Sequence, residues 1–517
     1  MHSQLLIVLV AAAVVWAGTA WLRRRAIPTP VVLVVAGVVL GFLPFVPDTS
    51  LEPEVVLLGF LPLLIFHAAF TSSPREFLSH GTPIFLLATG LVVITAAAVA
   101  VVAHFLGDLS WPMAFVLGTA VGPTDASAAI SIVRRLGLSR QLVIVLEGEA
   151  LFNDATALVL YAAAVADAVS GHVSVGHTIA TVIYSAVVGA AVGLAVALAG
   201  HPVRRLIDDP PMEIALSILL AYAAYLPAEA AGASGVLAAV TAGLYLGWHS
   251  PGALSARTRL QSAVFWDLLI FLIEGALFIL VGLSLHTFTA GARGPIGRLV
   301  VTGVIVVSAV IVLRLVWLFA MSRVLRLLRG MRTPSRRTDQ IVLGWSGMRG
   351  AVTLAAVLAV PLVTDDGAPL AGRDDVIYLA FAVILATLIG QGLTLPVLAR
   401  RFRPVDEGAE ETEREVRLDL VRAAVRRLDE EIRSGDLPEE VTAALTAQFR
   451  ARTRALRGHG EDPEMHELSV AKERALRREL LAVQRRRLLE LRRERRLSVE
   501  TVRDIERDLD LDETRLR

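Results

Sequence analysis

Long apolar runs alternate with short polar loops through the first four-fifths of the chain. The runs lack the polar stripe that a helix on the surface of a water-soluble protein carries. A membrane helix needs ~20 mainly apolar residues, at ~1.5 Å rise each, to cross ~30 Å of hydrocarbon. Such runs lie near 4–22, 27–46, 55–71, 83–105, 111–132, 141–168 and 176–200, and then near 212–229, 234–249, 263–286, 297–321, 340–361 and 376–399. The pattern predicts an all-α polytopic membrane protein of about 13 transmembrane helices, two of them (55–71 and 234–249) short.

From residue 400 the pattern changes to Arg, Glu and Asp with sparse apolar positions. This divides the chain into a transmembrane domain, 1–400, and a cytoplasmic helical region, 401–517. Helices are expected at 411–434, 438–457, 467–494 and near 498–508, broken by Gly435, Pro438, Gly458, Gly460 and Pro463. Leu476, Leu480, Val483 and Leu491 form an apolar stripe suited to a helical hairpin or a dimer contact. The surrounding charge reads mainly as solvated surface, although Arg485–Arg487 and Arg492–Arg496 could touch acidic lipid headgroups.

Orientation follows from the arginines of the short loops. Alternate loops hold Arg23–Arg25, Arg75, Arg134 with Arg135 and Arg140, Arg204 with Arg205, Arg257 with Arg259, a run from Arg323 to Arg337, and Arg400 with Arg401 and Arg403. The opposite loops hold Arg293, Arg298 and Arg373 beside acids such as Asp48 and Asp365. With thirteen crossings every arginine-rich loop falls on one side, so the N-terminus is expected outside and the tail in the cytoplasm, across the inner (plasma) membrane. Arg23–Arg25 follow the first run instead of preceding it, which reads as an uncleaved first helix.

Composition agrees with the pattern and narrows the chemistry. Mean hydropathy is +0.62 over 517 residues and 19% are charged, against ~25% in ordinary soluble domains. The chain has no cysteine, which excludes disulfides, thiolate metal sites and cysteine nucleophiles. A net charge of +1 gives no basic excess for nucleic acid. No Walker loop or dinucleotide fingerprint is present, nor a zinc-ligand histidine pair at helical spacing. No cofactor is called for, and the chain does not read as an enzyme.

Polar groups inside the expected membrane spans carry the functional signal, because an Asp or Arg at a helix centre costs ~2.5–3.5 kcal/mol on insertion scales. Span five contains Gly122-Pro123-Thr124-Asp125, and span six contains Glu147, Glu149, Asn153 and Asp154. Span ten contains Asp267 and Glu274, span eleven Arg314, and span twelve Gly347-Met348-Arg349-Gly350. Pro123 lacks an amide donor and the glycines tolerate unwound backbone, so spans five and twelve are expected to open near mid-membrane. Interrupted helices entering from opposite faces are the mark of inverted-repeat transporters. Spans five and twelve are each fifth in a block of six (1–6 and 8–13), with span seven as connector.

Span six supplies the titrating chemistry. Asp154 lies about 20 Å along its helix from Gln141. Burial favours the protonated form of a carboxylate and a nearby cation the ionised form. Such a group can alternate between a proton and a hard, oxygen-seeking cation. Asn153 offers an oxygen but does not titrate. One of these acids, Glu149 first, is expected to pair with Arg349, while Arg314 is expected to meet an internal acid or helix carbonyls. His67 reads as a helix-packing residue before a pH sensor. Trp21, Trp111 and Trp248 stand at span ends as interfacial anchors.

These residues resemble a known family. Gly122–Asp125, Glu147-Gly-Glu-Ala-Leu-Phe-Asn-Asp-Ala155 and Gly347-Met-Arg-Gly-Ala351 are similar to motifs of the sodium/proton antiporters of the NhaP and NHE type. Ser234–Leu237, Gly243–Gly247 and Phe278–Gly282 are similar to that family's later spans, and Glu506–Leu516 to the tail of its bacterial branch. The resemblance implies a 13-helix homodimer in which each protomer has a dimerisation domain and a six-helix core. Spans five and twelve would cross beside Asp154, where a monovalent cation (Na⁺ or Li⁺, also K⁺) competes with a proton. Asn153 would hold the local geometry, Thr124 and the Asp125 region would add oxygens, and Glu149 would pair with Arg349. The Asn–Asp pair implies electroneutral exchange of one cation for one proton.

The chain departs from the family pattern at three places: Ala150 stands where a serine is frequent, His67 ends a span-three motif that usually holds an acid, and Glu274 replaces an asparagine. Glu274 therefore either stands in for the missing acid or pairs with Arg314 or Arg349. Glu147 is a further accessory candidate. From other classes, a channel or sensor signalling through the tail is the alternative, and an intramembrane hydrolase a weaker one. Internally paired charges on interrupted helices favour alternating access over a continuous pathway.

Overall fold

The computed structural model describes residues 29–41, 55–72, 81–125, 129–130, 132–133, 140–171, 175–207, 209–253, 255–291, 296–329, 337–402, 409–434 and 439–457, with 483–484 and 488. The expected first span, 4–22, residues 126–128, 131 and 134–139, and nearly all of the expected tail helices 467–494 and 498–508 lie outside the described residues. Among the described residues the regular structure is helical throughout, with one isolated bridge between Val363 and Pro369 and no strand. A bilayer imposes this, since helices satisfy every backbone polar group within their own segment.

In chain order the helices are α1 (Thr29–Gly41), α2 (Leu61–Thr71, entered through a π-helical turn at Val55–Phe60), α3 (Gly81–Phe105), α4 (Trp111–Val121), α5 (Arg140–Ser170), α6 (Val175–Leu206), α7 (Pro210–Ala230) and α8 (Gly235–Ala253). They continue with α9 (Ala256–Gly291), α10 (Ile296–Arg329), α11 (Arg337–Trp345), α12 (Ala351–Leu358) and α13 (Arg373–Phe402). Among the described residues, 6 helices are long and apolar enough to cross a membrane: α3, α7, α13 and the greater parts of α6, α9 and α10. The protein is thus a helical membrane protein. Val300, Val301, Val304, Val312 and Val316 of α10 and Ile179, Ile183 and Val187 of α6 are exposed. Stripes of that size suit hydrocarbon better than water.

The chain divides into two compact units, Met1–Val405 and Asp406–Arg517. Within the second unit, α14 (Ala409–Ser434) and α15 (Glu439–Arg457) pack on each other, and Leu418 and Val421 are buried.

Within the first unit small residues bring helix backbones together, as expected where lipid removes the hydrophobic drive between helices. On α1, Gly37 meets the carbonyl of Ile279, and on α9, Gly282 meets that of Val34. Any side chain at either glycine would enter the facing backbone. Gly243 and Gly247 of α8 seat in the same way against the Phe66–Phe70 turn of α2.

Two runs that read as single spans are each broken. α4 stops at Val121, and Gly122–Asp125 leave the helical path before helical residues resume at 129. The run expected at 340–361 is two short helices, α11 and α12, separated by Ser346–Gly350. Gly350 is extended (φ −133°, ψ −151°) and caps the start of α12.

Candidate cation site

The two breaks meet. The Asp125 amide donates to the Met348 carbonyl at 2.7 Å. Gly350 lies so close to the Asp125 carboxylate that a Cβ there would collide with it. Asp125 therefore stands at the N-terminal end of α12, where aligned peptide dipoles favour negative charge.

α5 passes beside the junction. The Asn153 amide nitrogen donates to the carbonyl oxygen of Thr124 at 3.0 Å and to its hydroxyl at 3.1 Å. The Thr124 hydroxyl donates in turn to Glu149 Oε1 at 2.7 Å. Glu149 accepts from Arg314 at both carboxylate oxygens, the second bond being Nη2 to Oε2 at 2.9 Å. Arg314 also donates to the carbonyl of Leu343, in the last turn of α11, at 3.1 and 3.3 Å. Arg349 donates from Nε to the carbonyl of Val121, the last residue of α4, at 3.0 Å, and from Nη1 to Gly347. Its amide is held by the Thr387 hydroxyl at 3.2 Å. Thr124, Glu149, Asn153, Arg314 and Arg349 are all buried.

Breaking a helix orphans the carbonyls of its last turn. Each broken helix meets an arginine there: α4 meets Arg349 and α11 meets Arg314. The far end of α12 is tied by the Tyr161 hydroxyl to the Ala356 carbonyl, and by Arg373 to the carbonyls of Leu358 and Val360.

A cavity of about 550 Å³ opens beside this frame. Thr124, Asp125, Asp154 and Glu147 line it from α5 and the first break, Gly350 and Thr353 from the second, Asp267 and Glu274 from α9, and His67 from α2. Asp125 is within electrostatic reach of both Asp154 and Glu274. Asn153 and Glu149 do not line the cavity; they brace its wall. No group of three or more His, Asp or Glu close enough to chelate one metal ion is present among the described residues. The cavity wall thus offers carboxylates from α5, α9 and the first break, together with hydroxyls that include those of Thr124 and Thr353.

Residues 8–401 match the family model for the transmembrane sodium/hydrogen exchanger. The chain belongs to the sodium/hydrogen exchanger family. It is 34% identical to an uncharacterized Na⁺/H⁺ exchanger of Mycobacterium tuberculosis over 99% of this chain and 95% of the relative. It is 28% identical to a sodium, potassium, lithium and rubidium/H⁺ antiporter of Bacillus pumilus, over 83% of this chain and 66% of that protein. Its fold is similar to that of the sodium/proton antiporter MjNhaP1 of Methanocaldococcus jannaschii, with a TM-score of 0.62 at 20% identity, covering 78% of this chain and 99% of the other. Exchangers of this family are secondary transporters and not enzymes.

Within this exchanger fold the sequence expectations divide. Asp154, Asp125, Thr124, Glu147, Glu274 and His67 come together at one cavity. The expected ion pair between Glu149 and Arg349 is corrected: Glu149 bonds Arg314, and Arg349 is taken up by carbonyls around the two breaks. The reason is geometric. Arg314 reaches both Glu149 and the end of α11, whereas Arg349 sits inside the second break and is drawn to the end of α4. With Arg314 committed to Glu149, Glu274 forms no ion pair with either arginine among the described residues.

Sequence reasoning missed Thr387, which accepts from the Arg349 amide in the second break, and the part that Tyr161 and Arg373 play at the far end of α12. A search for donors able to reach the last carbonyls of a short helix could have found Tyr161 and Arg373. It also missed Gln391, buried one turn beyond Thr387 with neither amide atom hydrogen-bonded.

Proposed function

We propose that this chain exchanges Na⁺ for H⁺ across the membrane by competition at Asp154. The observation that carries the proposal is the position of Asp154 on the cavity wall, beside two helix breaks whose own charges already have partners. Deprotonated, Asp154 supplies an anionic oxygen to a cation desolvated at the cavity base, with Thr124 and the Asp125 region adding oxygens. Protonated, it is neutral. Either loaded form carries the same net charge, and that equality favours electroneutral exchange of one cation for one proton. Asn153 adds no charge and holds Thr124 in place.

We further infer about 13 spans with the N-terminus outside and the tail in the cytoplasm, in the plasma membrane. The two interrupted spans would occupy corresponding places in two inverted repeats, and protomers would pair as homodimers working by alternating access, in a role in pH homeostasis. Li⁺ and K⁺ are included among the cations because the Bacillus pumilus relative is named for both.

The experiment is a proteoliposome assay in which an imposed Na⁺ gradient drives proton movement, followed by dequenching of a pH dye. Wild type should respond with a bell-shaped pH profile, because protons occupy the site at low pH and are too scarce to return at high pH. Asp154→Asn should abolish exchange while the protein remains folded. Substantial exchange by that variant would sink the assignment. Repeating the assay with Li⁺, K⁺ and Rb⁺ reads selectivity directly.

A further inference from the structure

The cavity has a rim as well as a base, and the rim carries a charge that the exchange cycle above does not use. Asp267 is exposed on α9, whereas Glu274, two turns further along the same face, is half-buried within the cavity. Seven residues of helix separate them by about 10 Å. Asp267, Ile270, Glu274, Leu277 and Phe278 make one cavity-facing stripe, so Asp267 marks where that stripe reaches the opening.

The neighbouring position fixes this register. Trp266 is buried, donates from its indole nitrogen to the Ser217 hydroxyl at 3.2 Å, and stacks on His67 with ring centroids 4.9 Å apart. A pinned Trp266 prevents α9 from rotating Asp267 away from the opening. Asp267 makes no ion pair with an arginine among the described residues, and it lies within electrostatic reach of His67 on α2, which lines the same cavity.

We propose that Asp267 is a steering residue: its charge draws the cation into the cavity and raises the local cation concentration without ligating the ion at the transport site. This rests on the exchange at Asp154 proposed above. A fixed charge at the mouth of a low-dielectric cleft focuses counter-ions along it. A rim charge acting this way changes capture and its salt dependence, and leaves the bound-state chemistry alone. Leu268 and Leu272, beside this stripe, are exposed and apolar, so Asp267 contributes the polar edge of an otherwise apolar helix surface.

The test is Na⁺ titration of exchange in proteoliposomes at about pH 8, where an ordinary histidine is neutral. Asp267→Asn should raise the apparent KM for Na⁺ about threefold at low ionic strength. Its maximal rate should match wild type, and the KM difference should fade in ~0.3 M choline chloride, where charges are screened within a few ångströms. Asp267→Glu should behave as wild type. An unchanged KM at low ionic strength would overturn the proposal, as would a KM shift that survives high salt or a lower maximal rate at unchanged KM. If Asp267→Asn is unstable in detergent, Asp267→Ser gives the same ratio. Failure here is separable from failure of the exchange reading, because that reading fails if wild type shows no Na⁺-driven proton movement or if Asp154→Asn still transports, and neither result depends on Asp267.

Discussion

The frame around the two helix breaks predicts a specific energetic coupling. Glu149 and Arg314 are both buried and joined by two parallel hydrogen bonds. Removing one partner of such a pair leaves an uncompensated buried charge and costs ~3–5 kcal/mol. Arg314→Met should fall at the upper end, because Glu149 then keeps only the Thr124 hydroxyl and the Leu343 carbonyl loses its donor. Glu149→Gln should cost less, since the amide oxygen still accepts from Thr124 or Arg314. The double variant removes both charges and should recover part of the loss, with a coupling energy of ~1–3 kcal/mol. The same cycle with Glu149→Gln and Arg349→Met should show less than half that coupling, because Arg349 bonds the Val121 and Gly347 carbonyls and makes no hydrogen bond to Glu149. Unfolding followed by tryptophan fluorescence in mixed micelles gives the free energies. Coupling larger for Glu149 with Arg349 than for Glu149 with Arg314 would refute the assignment of partners.

Two further outcomes concern the transport cycle. If one carboxylate carries either a cation or a proton, clamping the liposome potential with valinomycin and K⁺ should leave Na⁺/H⁺ exchange rates nearly unchanged; a strong dependence on imposed potential would require a second titrating group, Glu274 first. Glu274 lines the cavity within electrostatic reach of Asp125, so Glu274→Gln should lower cation affinity or shift the pH optimum, and His67→Ala should move the acidic limb of the profile. Wild-type affinity and pH dependence in Glu274→Gln would remove that acid from the cycle.

Much of the architecture was legible because membrane physics is severe. An apolar run of ~20 residues has few fates other than a spanning helix. The expected 141–168, 176–200 and 297–321 appear within the helices Arg140–Ser170, Val175–Leu206 and Ile296–Arg329. The breaks were legible from backbone chemistry: Pro123 cannot donate an amide bond, and Gly347 and Gly350 tolerate unwound backbone. The partner of Glu149 was not legible. Helical periodicity reports which face a residue occupies, but not which of two arginines on other helices will reach it. Arg314 and Arg349 look alike in sequence, each a lone cation in an apolar run. The surroundings of Asp267 were not legible either, since only the packed structure shows that Trp266 is buried while its neighbour lines the cavity.

The ambiguity resolves once the broken helix ends are counted along with the side chains. Each break ends one helix whose last carbonyls carry partial negative charge, and the second also begins α12, whose first amides carry partial positive charge. Arg349 answers the end of α4, Arg314 answers the end of α11, and Asp125 stands at the start of α12. Glu149 bonds the arginine nearer to it and brings the formal charge of the frame close to balance. In this count Asp154 is not needed to hold the crossing together, yet it shares the cavity with groups that are. A carboxylate left over after the structural charges are matched can change its protonation state without dismantling the frame around it. That separation also makes the two kinds of variant distinguishable: Glu149 and Arg314 substitutions should show first in stability, and Asp154 substitutions in exchange.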